Sequence, residues 1–184
     1  MTQVVRLIGG VHSRKKIAFP EIDGLRPTPS RIRETLFNWL MHTVRGAKCL
    51  DAFAGSGALG FEAWSRGAAE IHFVETSHTA FMSLQKQISA LDTRALQITK
   101  SSALTFLAHT TEQFNLVFLD PPFDTPALLD HCIEQLEARP ILAKQGLVYT
   151  ESAQPITLNP ALWHTLKAKK AGLVYYALHE QRET

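Results

Sequence analysis

No stretch of this 184-residue sequence approaches the roughly eighteen consecutive apolar residues of a membrane-spanning helix. Nor does Met1 to Val11 hold a long apolar core followed by small residues at a cleavage site, so the chain reads as soluble, unexported and cytoplasmic, with no membrane partner. Cysteine is scarce. Cys49 and Cys132 lie far apart and outside any metal-ligand spacing, which predicts buried free thiols in a reducing cytosol in place of a disulfide. The histidines form no His-x-x-x-His pair and Cys-x-x-Cys is absent, so no zinc site is expected and no metal is assigned. Internal repeats and low-complexity tracts are also missing, and 45 % apolar with 20 % charged residues excludes collagen-like, disulfide-scaffold and disordered classes. At this length one domain over 1–184, acting as a monomer, is expected, with residues 1–24 appended as a basic hairpin to a core over 25–184.

Net charge is small, +2, but unevenly placed. Residues 1–48 hold nine Lys/Arg against three Asp/Glu, whereas 49–184 hold ten against fourteen, so positive charge gathers at one end. A clustered basic surface attracts a polyanion even when total charge is near zero, which makes Arg6, Arg14, Lys15, Lys16, Arg26, Arg31 and Arg33 candidate phosphate contacts. Charge alone favours the plainer reading, a solvated surface.

Val4–Ile8 and Arg14–Phe19 flank Gly9-Gly10 and predict a short hairpin, an appendage outside the core. Arg26-Pro27-Thr28-Pro29-Ser30 is a turn and helix-start signal, and Ile32, Leu36, Phe37, Trp39 and Leu40 follow at helical spacing. From Lys48 the pattern alternates. Strands over 48–52, 70–75, 95–99, 115–120 and 146–151 are separated by helices over 59–66, 79–91, 103–109 and 126–137. Such βαβ repetition predicts an α/β, doubly wound, mainly parallel sheet with helices on both faces. Residues 163–169 and 173–180 around Ala171-Gly172 add a C-terminal antiparallel hairpin.

Ligands of such sheets gather at the carboxyl ends of the strands. Four strand ends carry Asp51 to Gly55, Glu75, Ser101-Ser102 and Asp120-Pro121-Pro122-Phe123, and these should converge on one cleft. Gly55-Ser56-Gly57-Ala58-Leu59-Gly60 has the spacing G-x-G-x-x-G between a strand and a helix, which lets backbone approach a nucleotide. Glu75 ends the next strand, twenty residues after Gly55, where a carboxylate can accept from both ribose hydroxyls. A dinucleotide and S-adenosylmethionine both fit this pattern. Asp51 favours S-adenosylmethionine by placing an acid where a cationic amino-acid moiety would lie, and the chain has no obvious room for a dehydrogenase's substrate domain.

Asp120-Pro121-Pro122-Phe123 is the most specific feature. Two successive prolines remove two backbone donors and stiffen the loop, fixing the direction of the Pro121 carbonyl. A nucleobase amine is a poor nucleophile because its lone pair is delocalised into the ring. If Asp120 and the Pro121 carbonyl each accept one N–H, that pair is localised and aimed at a methyl donor, while Phe123 stacks on the base.

The segments Asp51–Gly60, Glu75, Asp120–Phe123 and the block Leu25–Asn38 together resemble the RsmD family, bacterial small-subunit ribosomal RNA guanine-N2 methyltransferases. The resemblance runs from Arg6-Leu7-Ile8-Gly9-Gly10 to about Glu151, and the Arg26–Asn38 block discriminates it from other methyltransferases. It implies a Rossmann-like class I methyltransferase fold, S-adenosylmethionine as cofactor, and ribosomal RNA within the small subunit as partner. Asp51, Gly55, Gly57 and Glu75 would hold the cofactor, with Phe53, Ser102 and Ala103 completing its pocket from neighbouring strand ends. Asp120, Pro121 and Phe123 would be the catalytic set, and Arg26–Asn38 would border the cleft. Ser102 stands where related enzymes often carry Asp or Asn to read adenine. Against such a core, Arg14, Lys15 and Lys16 become a clamp on RNA phosphates, joined by Arg26 and Arg31. The same acceptor geometry would also serve DNA adenine or cytosine or a protein glutamine amide, and a non-catalytic RNA-binding module is a reading of another class.

Overall fold

The computed structural model describes residues 2–22 and 26–182; Leu25, which opens the family-like block, and the expected 24/25 boundary lie outside them. Strands β1 (Thr2–Arg6) and β2 (Lys16–Pro20) pair as an antiparallel hairpin. Seven more, β3 (Lys48–Asp51), β4 (Glu70–Glu75), β5 (Leu96–Lys100), β6 (Phe114–Leu119), β7 (Leu142–Ser152), β8 (Trp163–Ala171) and β9 (Val174–Gln181), form one sheet in the order β5-β4-β3-β6-β7-β9-β8. The first five are parallel, and β9 runs antiparallel to both β7 and β8. Helices α1 (Ser30–Trp39), α2 (Ala58–Ser65), α3 (His78–Ala90), α4 (Ala103–His109) and α5 (Ala127–Ala138) connect them.

Side chains alternate across a strand, and here each face has its own core. Cys49, Ile71, Phe73, Leu116, Phe118, Leu147 and Tyr149 pack on one side with residues of α1, α2 and α3. Leu50, Val74, Val117, Leu119 and Val148 pack on the other with α4 and α5. Double-sided burial explains why the central strands read as continuous apolar runs. The two cysteines are buried and free, one in each layer, as their spacing predicted. Strand β7 begins four residues before its predicted start because Phe114 pairs with Leu142 and Leu116 with Leu147, an irregularity that displaces Ala143 to Gly146 and hides the strand's start from its apolar pattern.

The N-terminal hairpin is a correction to the reading above. Val5, Leu7, Ile17 and Phe19 are buried in the first core layer, and at roughly 1.5–3 kcal/mol per large apolar side chain such burial makes the hairpin part of the core. Arg33 is the second correction. It is fully buried and cannot meet a phosphate. Its Nε donates to the Thr28 carbonyl (3.1 Å), Nη1 to the Arg6 carbonyl (3.1 Å) and Glu62 Oε2 (3.2 Å), and Nη2 to Ser30 Oγ (3.2 Å). Glu62, equally buried, also accepts from Ile8 N–H (2.8 Å), Gly9 N–H (2.9 Å) and Arg66 Nε (2.8 Å). One ion pair thus ties the hairpin, the entry to α1 and helix α2 together.

Candidate active site

The chain leaves β3 toward β4 and β5 on one side, then returns through β6 to β7 on the other. Neighbouring β3 and β6 therefore form the switch point, where strand ends diverge into a crevice. Asp51 pairs with Phe118, so Asp120 lies two residues further along the adjacent strand direction. The glycine turn and the Asp-Pro-Pro-Phe corner thereby face the same crevice.

Glycine is required at two points of that turn. Gly57 has φ of 78°, and a Cβ there would stand 2.6 Å from Phe61; at Gly60 a Cβ would stand 2.2 Å from the Phe73 ring. Gly60 N–H donates to Asp51 Oδ2 at 3.0 Å. Glu75 clamps the other side, its Oε2 accepting from Gly55 N–H and its Oε1 from Ser77 N–H, both at 2.7 Å. Each oxygen keeps a further lone pair for a ligand hydroxyl. Asp51 is buried with no cationic partner among the described residues. Burial, reinforced by repulsion from Asp120 and Glu75, pushes its carboxyl up to about 7 against the pull of Gly60 N–H. A ligand ammonium would supply the missing counter-charge. Half-buried Phe53 packs on the second core layer, and Ala103 opens α4. Ser102 is exposed, and its hydroxyl caps α4, accepting from Thr105 N–H (3.1 Å) and donating to Thr105 Oγ1 (2.8 Å). Only one lone pair is left for an adenine amine.

At the opposite wall, Asp120 is half-buried and its Oδ2 accepts from Thr28 Oγ1 at 3.2 Å. Its Oδ1 accepts no hydrogen bond from the described residues, and neither does the Pro121 carbonyl. By contrast the Pro122 carbonyl is occupied by Thr125 N–H (3.2 Å) and Oγ1 (3.1 Å). Phe123 is 41 % exposed, a large ring left open to a partner. Two further residues escaped the sequence reading. Leu119 pairs with Thr150, so buried Glu151 stands beside Asp120 on β7, and Tyr149 OH donates to its Oε1 at 2.8 Å. Burial raises both carboxyls above the ordinary carboxylate range, and repulsion from Asp120 raises Glu151 further. The signal for Glu151 was its place at the end of a parallel strand next to the corner.

Exposed Arg26 and Arg31 flank Thr28 at the entry to α1 and so border the Asp120 wall. Arg14, Lys15 and Lys16 are also exposed but lie at the hairpin tip. That tip docks on the C-terminal end of α2 through Val11 N–H to the Ser65 carbonyl (2.8 Å), His12 N–H to Ser65 Oγ (3.0 Å) and His12 stacked on Trp64. Because α2 starts at the glycine turn, the tip is about 12 Å, one eight-residue helix, from the crevice. No cluster of metal-binding side chains occurs among the described residues, and no helix there is long and apolar enough to cross a membrane.

The family model described as Conserved hypothetical protein 95 matches residues 5–180. Ribosomal RNA small subunit methyltransferase D from Escherichia coli K12 is 41 % identical over 179 residues, covering 96 % of this chain and 90 % of the relative. The Haemophilus influenzae protein of that name is 40 % identical over 182 residues, covering 96 % and 93 %. A solved Escherichia coli structure designated a methyltransferase superposes with a TM-score of 0.89 at 41 % identity, covering 99 % of this chain and all of that one.

Proposed function

This chain belongs to the RsmD family of ribosomal RNA small subunit methyltransferases, and from that premise we propose that it methylates the exocyclic N2 amine of a guanine in small-subunit ribosomal RNA. The fold is that of class I methyltransferases, and the methyl donor is S-adenosylmethionine. The guanine amine is our reading of one observation: Asp120 Oδ1 and the Pro121 carbonyl, on consecutive residues just beyond the end of β6, accept no hydrogen bond from the described residues.

The residues of the turn fit the donor. Glu75 has lone pairs for the ribose hydroxyls, and buried Asp51, with no cationic partner among the described residues, would take the amino-acid ammonium. Gly55 and Gly57 bring backbone close, with Phe53, Ser102 and Ala103 around the adenine side. When bound, S-adenosylmethionine supplies an electrophilic methyl group on a sulfonium. Asp120 Oδ1 and the Pro121 carbonyl each take one N–H of the incoming amine, which pulls its lone pair out of conjugation and fixes its direction. Thr28, held through its carbonyl by Arg33, keeps Asp120 in that rotamer. The amine becomes strongly acidic as it is methylated, so Asp120 Oδ1, raised in basicity by burial, suffices to take its proton. Phe123 stacks on the base, and Arg26 and Arg31 meet the adjoining phosphates. Arg14, Lys15 and Lys16 bind backbone further from the crevice. The enzyme's small-subunit ribosomal RNA substrate places its action in the cytoplasm.

The reading is tested by supplying methyl-labelled S-adenosylmethionine with three acceptors in parallel: naked small-subunit RNA, assembled small subunits lacking the modification, and DNA. Label is expected in RNA or subunits and not in DNA. Transfer to DNA, or to none of the three, contradicts it.

A further inference from the structure

Strand β8 is the outer edge of the sheet beyond β9, and its second half carries Lys167, Lys169 and Lys170, all exposed, with no acidic residue anywhere from Trp163 to Leu173. None of the three is in a salt bridge among the described residues; Lys170 Nζ lies 4.6 Å from the centre of the Tyr175 ring. The sheet register fixes where they stand. Lys169 pairs with Tyr176, Tyr176 with Glu151, and Glu151 follows Thr150, the partner of Leu119. Lys169, Tyr176, Glu151 and Asp120 therefore form one row across the sheet, and Lys169 is three strand spacings, roughly 14 Å, from the catalytic corner. Directly paired residues of antiparallel strands share a face, so Lys167 and Lys169 project on the side of Leu178 and Tyr176, while Lys170 projects on the other. Trp39 of α1 stacks on Tyr176 and continues the first face back toward Arg31.

The glycine turn and its carboxylates occupy the β3–β4 half of the crevice. A polynucleotide leaving Asp120 in the opposite direction passes over β7, β9 and β8. Lysines on an edge strand also discourage pairing with other chains. Charge anywhere along β8 would serve that end, yet these three are confined to the half at the catalytic row, and His164 and Thr165 occupy the far half.

We propose that Lys167, Lys169 and Lys170 form a phosphate-binding edge for the RNA backbone that flanks the target nucleotide. The inference rests on Asp120 being where the base is held, and it adds a contact surface on the side of the crevice remote from the cofactor.

The test compares the full-length protein with the triple variant Lys167→Gln, Lys169→Gln, Lys170→Gln, measuring affinity for small-subunit ribosomal RNA over a series of salt concentrations. Each phosphate contact contributes about 0.7–0.9 to the slope of log affinity against log salt, so the variant's slope should be shallower by about 2–3. KM for RNA should rise while kcat stays unchanged, and Lys→Arg at all three positions should restore both slope and KM. The hairpin-tip variant Arg14→Gln, Lys15→Gln, Lys16→Gln, measured alongside, reports the distal contact by the same slope. An unchanged slope in the β8 variant overturns the proposal, as does loss of kcat without change in RNA affinity. Wild-type protein that binds RNA with a steep salt slope but methylates no guanine would instead refute the proposed reaction, so the two failures are separable.

Discussion

Glu62→Gln preserves shape and removes the charge against which Arg33 is buried. In the wild type each Glu62 oxygen takes two donors, Ile8 N–H and Arg33 on Oε2, Gly9 N–H and Arg66 on Oε1. A glutamine amide turns one oxygen into an NH2 group that faces donors, so two of the four bonds are lost in either orientation and the guanidinium of Arg33 stays buried without a counter-charge. Removing one partner of a buried ion pair costs roughly 3–5 kcal/mol. Total stability for a domain is about 5–15 kcal/mol, so the fraction lost is large. At this chain length Tm should fall by about 6–20 °C. Thermal and urea unfolding followed by circular dichroism measure it, with an unchanged denaturant slope showing that both states keep their surface. Adding Arg33→Met to Glu62→Gln should recover part of the loss, because the uncompensated charge is gone while Ile8 and Gly9 N–H remain poorly served. A cost below about 1 kcal/mol for Glu62→Gln, the size of an ordinary substitution, would refute the account of this pair as the hinge between hairpin, α1 and α2.

Asp120→Ala should lower kcat by about 10²–10³-fold, the cost of losing one oriented acceptor, while isothermal titration finds S-adenosylmethionine affinity nearly unchanged; near-normal turnover would remove Asp120 from the reaction. Gly60→Ala drives a Cβ to 2.2 Å from the Phe73 ring, so unfolding experiments should show a loss of about 1–3 kcal/mol, and a neutral effect would mean the turn is slack. Asp51 has its carboxyl raised in the folded protein to about 7, and Glu151 beside Asp120 is raised as well, so the folded state holds protons that the unfolded state releases near pH 4. Their stabilising contribution is therefore full below about pH 4 and, for Asp51, lost as pH rises through about 7. Unfolding free energy without cofactor should fall more steeply over that range in the wild type than in Asp51→Asn or Glu151→Gln; parallel profiles would contradict the shifts.

The sheet and most of its strands were legible because double-sided burial writes each central strand as an apolar run, and βα alternation then fixes the class. The glycine turn and the Asp-Pro-Pro-Phe corner were legible because their chemistry is local in the chain. What the sequence hid depends on long-range partners. Arg33 looked like one more surface cation, and only Glu62, twenty-nine residues away, makes it a core residue. Its signal was a single charge in the otherwise largely apolar helix Ala58–Ser65. The hairpin's alternation of buried Val5, Leu7, Ile17 and Phe19 was present, but nothing local said which surface would cover it. Glu151 became visible as a neighbour of the corner, and Lys169 as the far end of its row, only through strand order, which places β7 and β9 between Asp120 and the edge.

The proposed role of the acceptor pair at Asp120 and Pro121 is to select an exocyclic guanine amine. It is tested most directly by digesting RNA from a labelled reaction to nucleosides and identifying the methylated one by mass spectrometry. The label should reside in N2-methylguanosine and disappear with Asp120→Ala. Label on a ring nitrogen, a ribose hydroxyl or another base would contradict it.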